Sequence, residues 1–565
     1  MNFSNQLKTL ASAVALLAGS QAAHAITPWQ ANDANASNYG TPDYVIYTSG
    51  GAAQDLAYQQ VVLDALSVPG SVDIFQDISA TSTSNGSRFT SFYFIGASTL
   101  TDAALRGKKI LLEKRSLGAA GYGVVPILAH LPLDHLDIFH TATSKLQATW
   151  TNTTQSLVVN GVSGVSVPFH AASITTANAS TFLTSTQSHG GFAGVDTAAL
   201  LAQGSSNYPD PVKEVSTNAT TAGWTYALTP DNLSAVNRIS TGGLVYGIGV
   251  TLDFYKVLQA AQIATGDLPA TVTVGAYDQA SLPSISRNFL ASILSGNITD
   301  WSNVKLNVGG TTKSLTDASI RTAAGVSAPT STKVAVGLRN TGAAIGAVAY
   351  AKILNYPYVD QAATPAALVP NTSAAESSAA PLVKGPTGAS ATQDLLLDWQ
   401  GGTNNSGLNN VSGAKYWGIA VNSADRNNTV TTAGTGGKNW RYVKIDGYAP
   451  TIENVAAGNY PYWAEGEIIV DPSVGTSHEQ SLFTDFGNHL GSVAVASVVN
   501  AAVIQPWGST GIFATTATDS GAIDVPYVTT HPIVGLTHLG SDGYTHLGIV
   551  PYAYDNGNGN TIELQ

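Results

Sequence analysis

The spacing of histidines and carboxylates limits the chemistry this chain could perform. His130, His135 and His140 recur every five residues, which on a helix would spread three imidazoles around the axis instead of aligning them as ligands. His478-Glu479, Asp485 and His489 fall in one stretch of helical character, and a solvated helix face is the ordinary reading of such a pattern. Asp555-Asn556-Gly557-Asn558-Gly559-Asn560 hints at a calcium loop. It lacks the full alternation of oxygen ligands and a terminal Glu at the right distance, and reads as a polar C-terminal segment. No Gly-x-Ser-x-Gly elbow, Walker-type Gly-x4-Gly-Lys-Ser/Thr or His-Glu-x-x-His occurs. Hydrolase, nucleotide and zinc-protease readings thereby lose their main support. No catalytic residue, metal ligand or cofactor is assigned, and the chain is read as a non-enzyme.

The elements around the remaining polar turns form a recurring pattern. Asp43–Tyr47 has strand composition, Thr48-Ser49-Gly50-Gly51 breaks it, and 52–66 has helical spacing. The pattern returns at 92–95, Gly96-Ala97-Ser98 and 101–105, and again at 333–338, Arg339-Asn340-Thr341-Gly342 and 343–354. A strand at 244–250 precedes a helix at 253–261. Repeated strand-turn-helix units predict an α/β chain with largely parallel sheets.

Bulk composition narrows the function classes. Residues 1–25 read as a secretory signal, with Lys8, the apolar run 10–18 and the exit Ala23-His24-Ala25. That run is too short to span a bilayer, and no later stretch is long and apolar enough, so an exported chain without membrane insertion is expected. The absence of cysteine excludes a disulfide framework, a thiolate metal site and lipid attachment through cysteine. A net charge of −12 with 24 Lys and Arg argues against nucleic acid and anionic membranes as partners.

The segment Leu282–Val304, LPSISRNFLASILSGNITDWSNV, joins an amphipathic helix (Phe289, Leu290, Ile293 and Leu294 on one face) to a turn at Ser295-Gly296-Asn297 and then to Ile298-Thr299-Asp300-Trp301. Its core, SILSGNITDW, resembles the "(I/L)FSGKITNW" signature of periplasmic phosphate-binding proteins. Pro450–Tyr462, PTIENVAAGNYPY, is similar to the "PTxENIxxGxYP" phrase of that family, and 243–259 is similar to the strand and helix before the signature. The resemblance is strongest over 240–350 and 450–465. It implies a two-lobed, type II periplasmic-binding-protein-like α/β fold with a ligand cleft between the lobes. It further implies a solute-binding component of ABC uptake systems, with phosphate or a related small oxyanion as ligand and an ABC permease as partner.

An oxyanion stripped of water is held well by backbone N–H groups at helix starts, by hydroxyls and by a planar guanidinium. The positions matching the family's pattern are Ser49, Gly50 and Gly51 in the first lobe, and Arg339, Thr341 and Gly342 in the second, with Ser116 and Asp196 as further candidates. Departures accompany these matches. Where the family carries Arg-x-Asp-x-Ser-Gly-Thr, this chain reads Arg339-Asn340-Thr341-Gly342-Ala343-Ala344, without the acidic acceptor and the Thr hydroxyl. Ala119 and Ala120 stand where a Ser is expected, and Asp196 is offset from the family's acidic position. Each lost hydroxyl on a charged ligand oxygen costs about 1.5–3 kcal/mol. Phosphate, another small anion, and a scaffold that has lost its ligand therefore all stay open.

The expected layout is a signal at 1–25, a discontinuous first lobe at 26–145 and 456–565, a mixed connecting region at 146–240, and a second lobe at 241–455 with an insertion around 362–440. The aromatic and basic stretch 438–448 reads as a strand with an exposed charged face, or else as a recognition surface. An extracellular structural or adhesive protein on the same fold is the alternative function, and an exposed aromatic patch near Trp440 would favour it. Periplasm and extracellular space are both compatible with export.

Overall fold

The computed structural model describes residues 41–78, 89–138, 150–175, 177–200, 235–339, 342–354, 381–386, 388–411, 413–515 and 533–534. The expected signal segment, His140, Asn340, Thr341, residues 362–380 at the start of the expected insertion and the polar run 555–560 lie outside them. Among the described residues no helix is long and apolar enough to cross a membrane, and no group of three His, Cys, Asp or Glu is placed to hold a metal ion.

Two sheets share one strand, and that strand makes the molecule two-lobed. Asn237–Thr251 pairs through residues 237–245 with Trp463–Val470, then through 246–251 with Tyr416–Ser423 and Trp440–Ile445. Between the two halves of its first pairing lies a bulge at Ser240–Gly243. Gly242 adopts φ +75 there, and a Cβ on it would stand 2.5 Å from the Phe513 carbonyl oxygen, so only glycine fits without strain.

The first-lobe sheet runs outward from this strand through Trp463–Val470, Gly190–Ala193, Tyr44–Gly50, Lys109–Arg115, Phe89–Ile95, Asp73–Asp77, Val162–Ala172 and Thr151–Val159. In the second lobe Tyr416–Ser423 pairs in parallel with Ser331–Gly337, which pairs in parallel with Leu382–Lys384. The sheets are mixed, not largely parallel as the strand-turn-helix pattern predicts. Phe89–Ile95 is followed by a single short turn of helix, Ala103–Leu105, and Lys109–Arg115 then returns antiparallel to it. So few residues cannot make a crossover back to a parallel position.

Each lobe buries its own aromatic core. Tyr58, Phe92, Phe192, Phe483 and Phe486 pack beneath the helices Asp55–Val61 and Ser477–Leu490. Phe254, Trp301, Trp399 and Trp417 fill the second lobe. The SGNITDW segment belongs to that second core. Ser286 caps the helix Arg287–Leu294 through the Phe289 amide, Gly296 turns the chain at φ +76, and the buried Trp301 indole donates to the Trp417 carbonyl at 2.8 Å. The stretch around Trp440 forms the strand Trp440–Ile445, with Trp440 fully buried, so the exposed aromatic patch that would favour an adhesive surface is not found there.

The two described histidines of the five-residue spacing are not on a helix. His130 sits at φ +51 in a turn, and His135 is on the strand Pro132–Leu136. His478, Glu479, Asp485 and His489 do lie on the helix Ser477–Leu490, where three of them serve local structure. His478 reaches Asp102 at 2.5 Å, Glu479 closes a capping box with Thr476, and Asp485 accepts from the Thr101 hydroxyl at 2.7 Å.

Candidate functional site

The strand Tyr44–Gly50 runs past the break expected at Thr48, so Ser49 and Gly50 are its last residues and Gly51 precedes the helical run. Gly50 has φ +137, and a Cβ there would meet the Phe192 carbonyl oxygen at 2.0 Å. Close packing of two strand ends therefore requires glycine at this position. Ser49 is completely buried, and its hydroxyl has no hydrogen-bond partner among the described residues. A Cβ on Gly51 would lie 3.3 Å from the amide nitrogen of Ala120, which puts the turn at 118–121 directly against it.

One hydrogen bond carries that turn across the seam. The Gly121 amide donates to the Gly342 carbonyl at 2.8 Å, and Gly342 leads into the helix Ala344–Lys352. Close by, Gly194 is wedged so that a Cβ on it would stand 3.3 Å from the Ala53 side chain and 3.5 Å from that of Ala344. Ala53 and Ala344, each at the start of a helical run, thus both lie close to Gly194.

Half-buried Arg339 stands on the same seam. Burial raises the Tyr246 and Tyr462 phenols, while the nearby Arg339 charge opposes that rise in both. Tyr246 donates to the Gly194 carbonyl at 2.6 Å, Tyr462 to the Ile345 carbonyl at 2.8 Å, and Tyr460 to the Tyr246 carbonyl at 2.8 Å. The PTIENVAAGNYPY phrase therefore supplies two of the three phenols that tie the chain crossing to the second lobe.

Ser116 and Asp196 are placed differently. Ser116 donates its hydroxyl to Asp55 Oδ1 at 2.9 Å and accepts from Lys114 Nζ at 3.2 Å. Asp196 is buried in an ion pair with Arg238 at 2.8 Å, and the same guanidinium holds Glu467 at 2.5 Å. Its carboxylate is thus committed to the frame of the first lobe. The turn at 118–121 lies against Gly51 and bonds to Gly342, Lys114 links Ser116 to the Gly50 carbonyl, Arg339 acts on Tyr246 and Tyr462, Asp196 pairs with Arg238, and Thr341 is outside the described residues.

Sequence reading did not name Asp55, and it counted Lys114 only as the first residue of the candidate turn 114–121. Lys114 is buried, with its ammonium 3.4 Å from the Gly50 carbonyl and 3.6 Å from Asp55 Oδ1. Burial pushes it below the usual lysine range, and Asp55 pulls the other way. The available signal was Asp55 itself, an acid in the first turn of a helix.

No family model and no curated protein matches the chain. Solved structures do. A DING protein is 12% identical, with 88% of this chain and 99% of that one covered and a TM-score of 0.36. A phosphate-binding protein from Stenotrophomonas maltophilia is 13% identical, covering 64% and 86%, with a TM-score of 0.31. An ABC-type phosphate transport receptor from Vibrio cholerae is 13% identical, covering 48% and 74%, with a TM-score of 0.25. The chain is distantly similar to these proteins.

Proposed function

We propose that this chain is an exported, non-catalytic solute-binding protein that takes phosphate or a related small oxyanion between its lobes, in the manner of the binding components of ABC uptake systems. The observation that carries the reading is the Gly121–Gly342 hydrogen bond. It ties Gly342 to the turn that lies against Gly51, which supports reading the Ser49-Gly50-Gly51 end and the segment after Arg339 as two sides of one site. Ser49 offers a buried hydroxyl with no partner among the described residues, Arg339 offers a guanidinium, and the turns offer amides, all of which suit an oxyanion. An ABC permease is the partner such a protein would serve.

The closeness of both Ala53 and Ala344 to Gly194, where a Cβ would find no free space, favours a second reading, a scaffold that keeps the fold with the seam shut. Calorimetric titration of the mature chain with inorganic phosphate separates the two. Saturable heat is expected, with affinity reduced about ten- to a hundred-fold in Arg339→Ala and about ten-fold in Ser49→Ala, the loss expected of hydrogen bonds to a charged ligand. Absence of heat at about 10 mM phosphate, where even a site worth roughly 4 kcal/mol fills, would leave the scaffold.

A further inference from the structure

An anionic group belonging to the chain itself already occupies a cationic position beside the seam. The Lys114 side chain is 2% exposed and lies under the end of the first strand, with its ammonium directed to the Gly50 carbonyl at 3.4 Å, the Arg115 carbonyl at 3.3 Å and Ser116 Oγ at 3.2 Å. Asp55 closes this group from outside. Its side chain is 24% exposed, its Oδ1 stands 3.6 Å from the ammonium, and Ser116 spends its only hydroxyl proton on that same oxygen at 2.9 Å. The order outward is therefore hydroxyl and ammonium, then carboxylate, then solvent. A dissolved oxyanion can reach Lys114 and Ser116 only by displacing Asp55, and one bound nearby at Ser49 and Gly51 feels the Asp55 charge as repulsion. Because Asp55 is tethered through its own helix, it competes as an intramolecular ligand at high effective concentration.

We propose that Asp55 is a built-in anion held by Lys114 and Ser116, and that it weakens the binding of free oxyanions at the interlobe seam, dianions most of all. This rests on the reading of the seam as an anion site. It makes Asp55 a specificity-determining residue with no catalytic role.

Titration of Asp55→Asn with inorganic phosphate and with sulfate tests it, since the amide keeps the shape and removes the charge. Phosphate affinity is expected to rise by about ten-fold or more over wild type, with a larger rise for sulfate. The charge-retaining Asp55→Glu should show no gain, and adding Lys114→Met to Asp55→Asn should abolish the gain. Unchanged or weaker binding in Asp55→Asn, while wild-type binding still collapses in Arg339→Ala, overturns the proposal and leaves the anion site standing. No heat from either wild type or Asp55→Asn overturns both. If Asp55→Asn does not fold, Asp55→Ser takes its place. It removes the charge while leaving a hydroxyl oxygen to accept from the ammonium, and a gain of about three-fold is expected. No gain there rejects the proposal.

Discussion

Arg238→Met is the perturbation whose cost the structure specifies most fully. Arg238 lies on the crossing strand, and its guanidinium meets Asp196 Oδ1 at 2.8 Å and Glu467 Oε1 at 2.5 Å, with both carboxylate side chains at 0% exposure and Arg238 at 16%. Burial opposes the arginine charge, and the two carboxylates more than offset this, so the guanidinium is held more firmly protonated than usual. Glu467 Oε2 keeps the Thr197 amide at 2.9 Å and hydroxyl at 2.5 Å after the substitution, whereas Asp196 Oδ1 loses its guanidinium. Removing one partner of a buried pair costs about 3–5 kcal/mol, because the charge left behind is out of water. With Glu467 partly served by Thr197, about 4 kcal/mol is expected. At a urea slope of about 3 kcal/mol per M, the midpoint followed by tryptophan fluorescence should fall by roughly 1.3 M. The loss should shrink as the pH falls, since the stranded carboxylates can then take up protons in the folded state. A fall of less than about 0.3 M, equivalent to about 1 kcal/mol at that slope, would refute the reasoning and reduce the triad to the weight of a surface pair.

Burial, joined by the charge of Asp137, raises Glu113 well above the usual carboxylate range, against a hydrogen bond from Ser91. A raised acid contributes stability in full below its unfolded value and loses it as pH rises toward the folded one. Glu113→Gln should therefore match or exceed wild type at neutral pH by about 1 kcal/mol and lose that advantage near pH 4, as read from thermal melts. A clear destabilisation at neutral pH would mean the ionised form is the useful one. Lys352 is pushed down to about 7 by burial and then by Arg287, although the face of Trp463, 4.5 Å from its ammonium, favours the charged form. A lowered lysine makes stability rise with pH between its folded and unfolded values, so wild type should gain about 1–2 kcal/mol from pH 7 to 9. Lys352→Met should lack this gain in urea midpoints, and equal slopes for the two proteins would count against it.

Local features of this chain were written in local sequence. The helix Arg287–Leu294 and the turn at Gly296 follow from spacing and turn chemistry, which act within a few residues, whereas the first strand runs on to Gly50, past its expected break at Thr48. The candidate residues Ser49, Gly50, Gly51, Arg339, Thr341 and Gly342 are named from the resemblance to the family's pattern, at places where a strand is expected to give way to a helix. Tertiary structure decided what those turns face. It set the antiparallel return of Lys109–Arg115, the Gly121–Gly342 bond across the seam and the commitment of Asp196 to Arg238 and Glu467. It also placed Asp55 on Ser116, 61 residues away, and Glu467 on Arg238, 229 residues away. Such partners are selected by shape and by the cost of leaving a charge in a dry interior, and neither quantity exists until the sheets have packed.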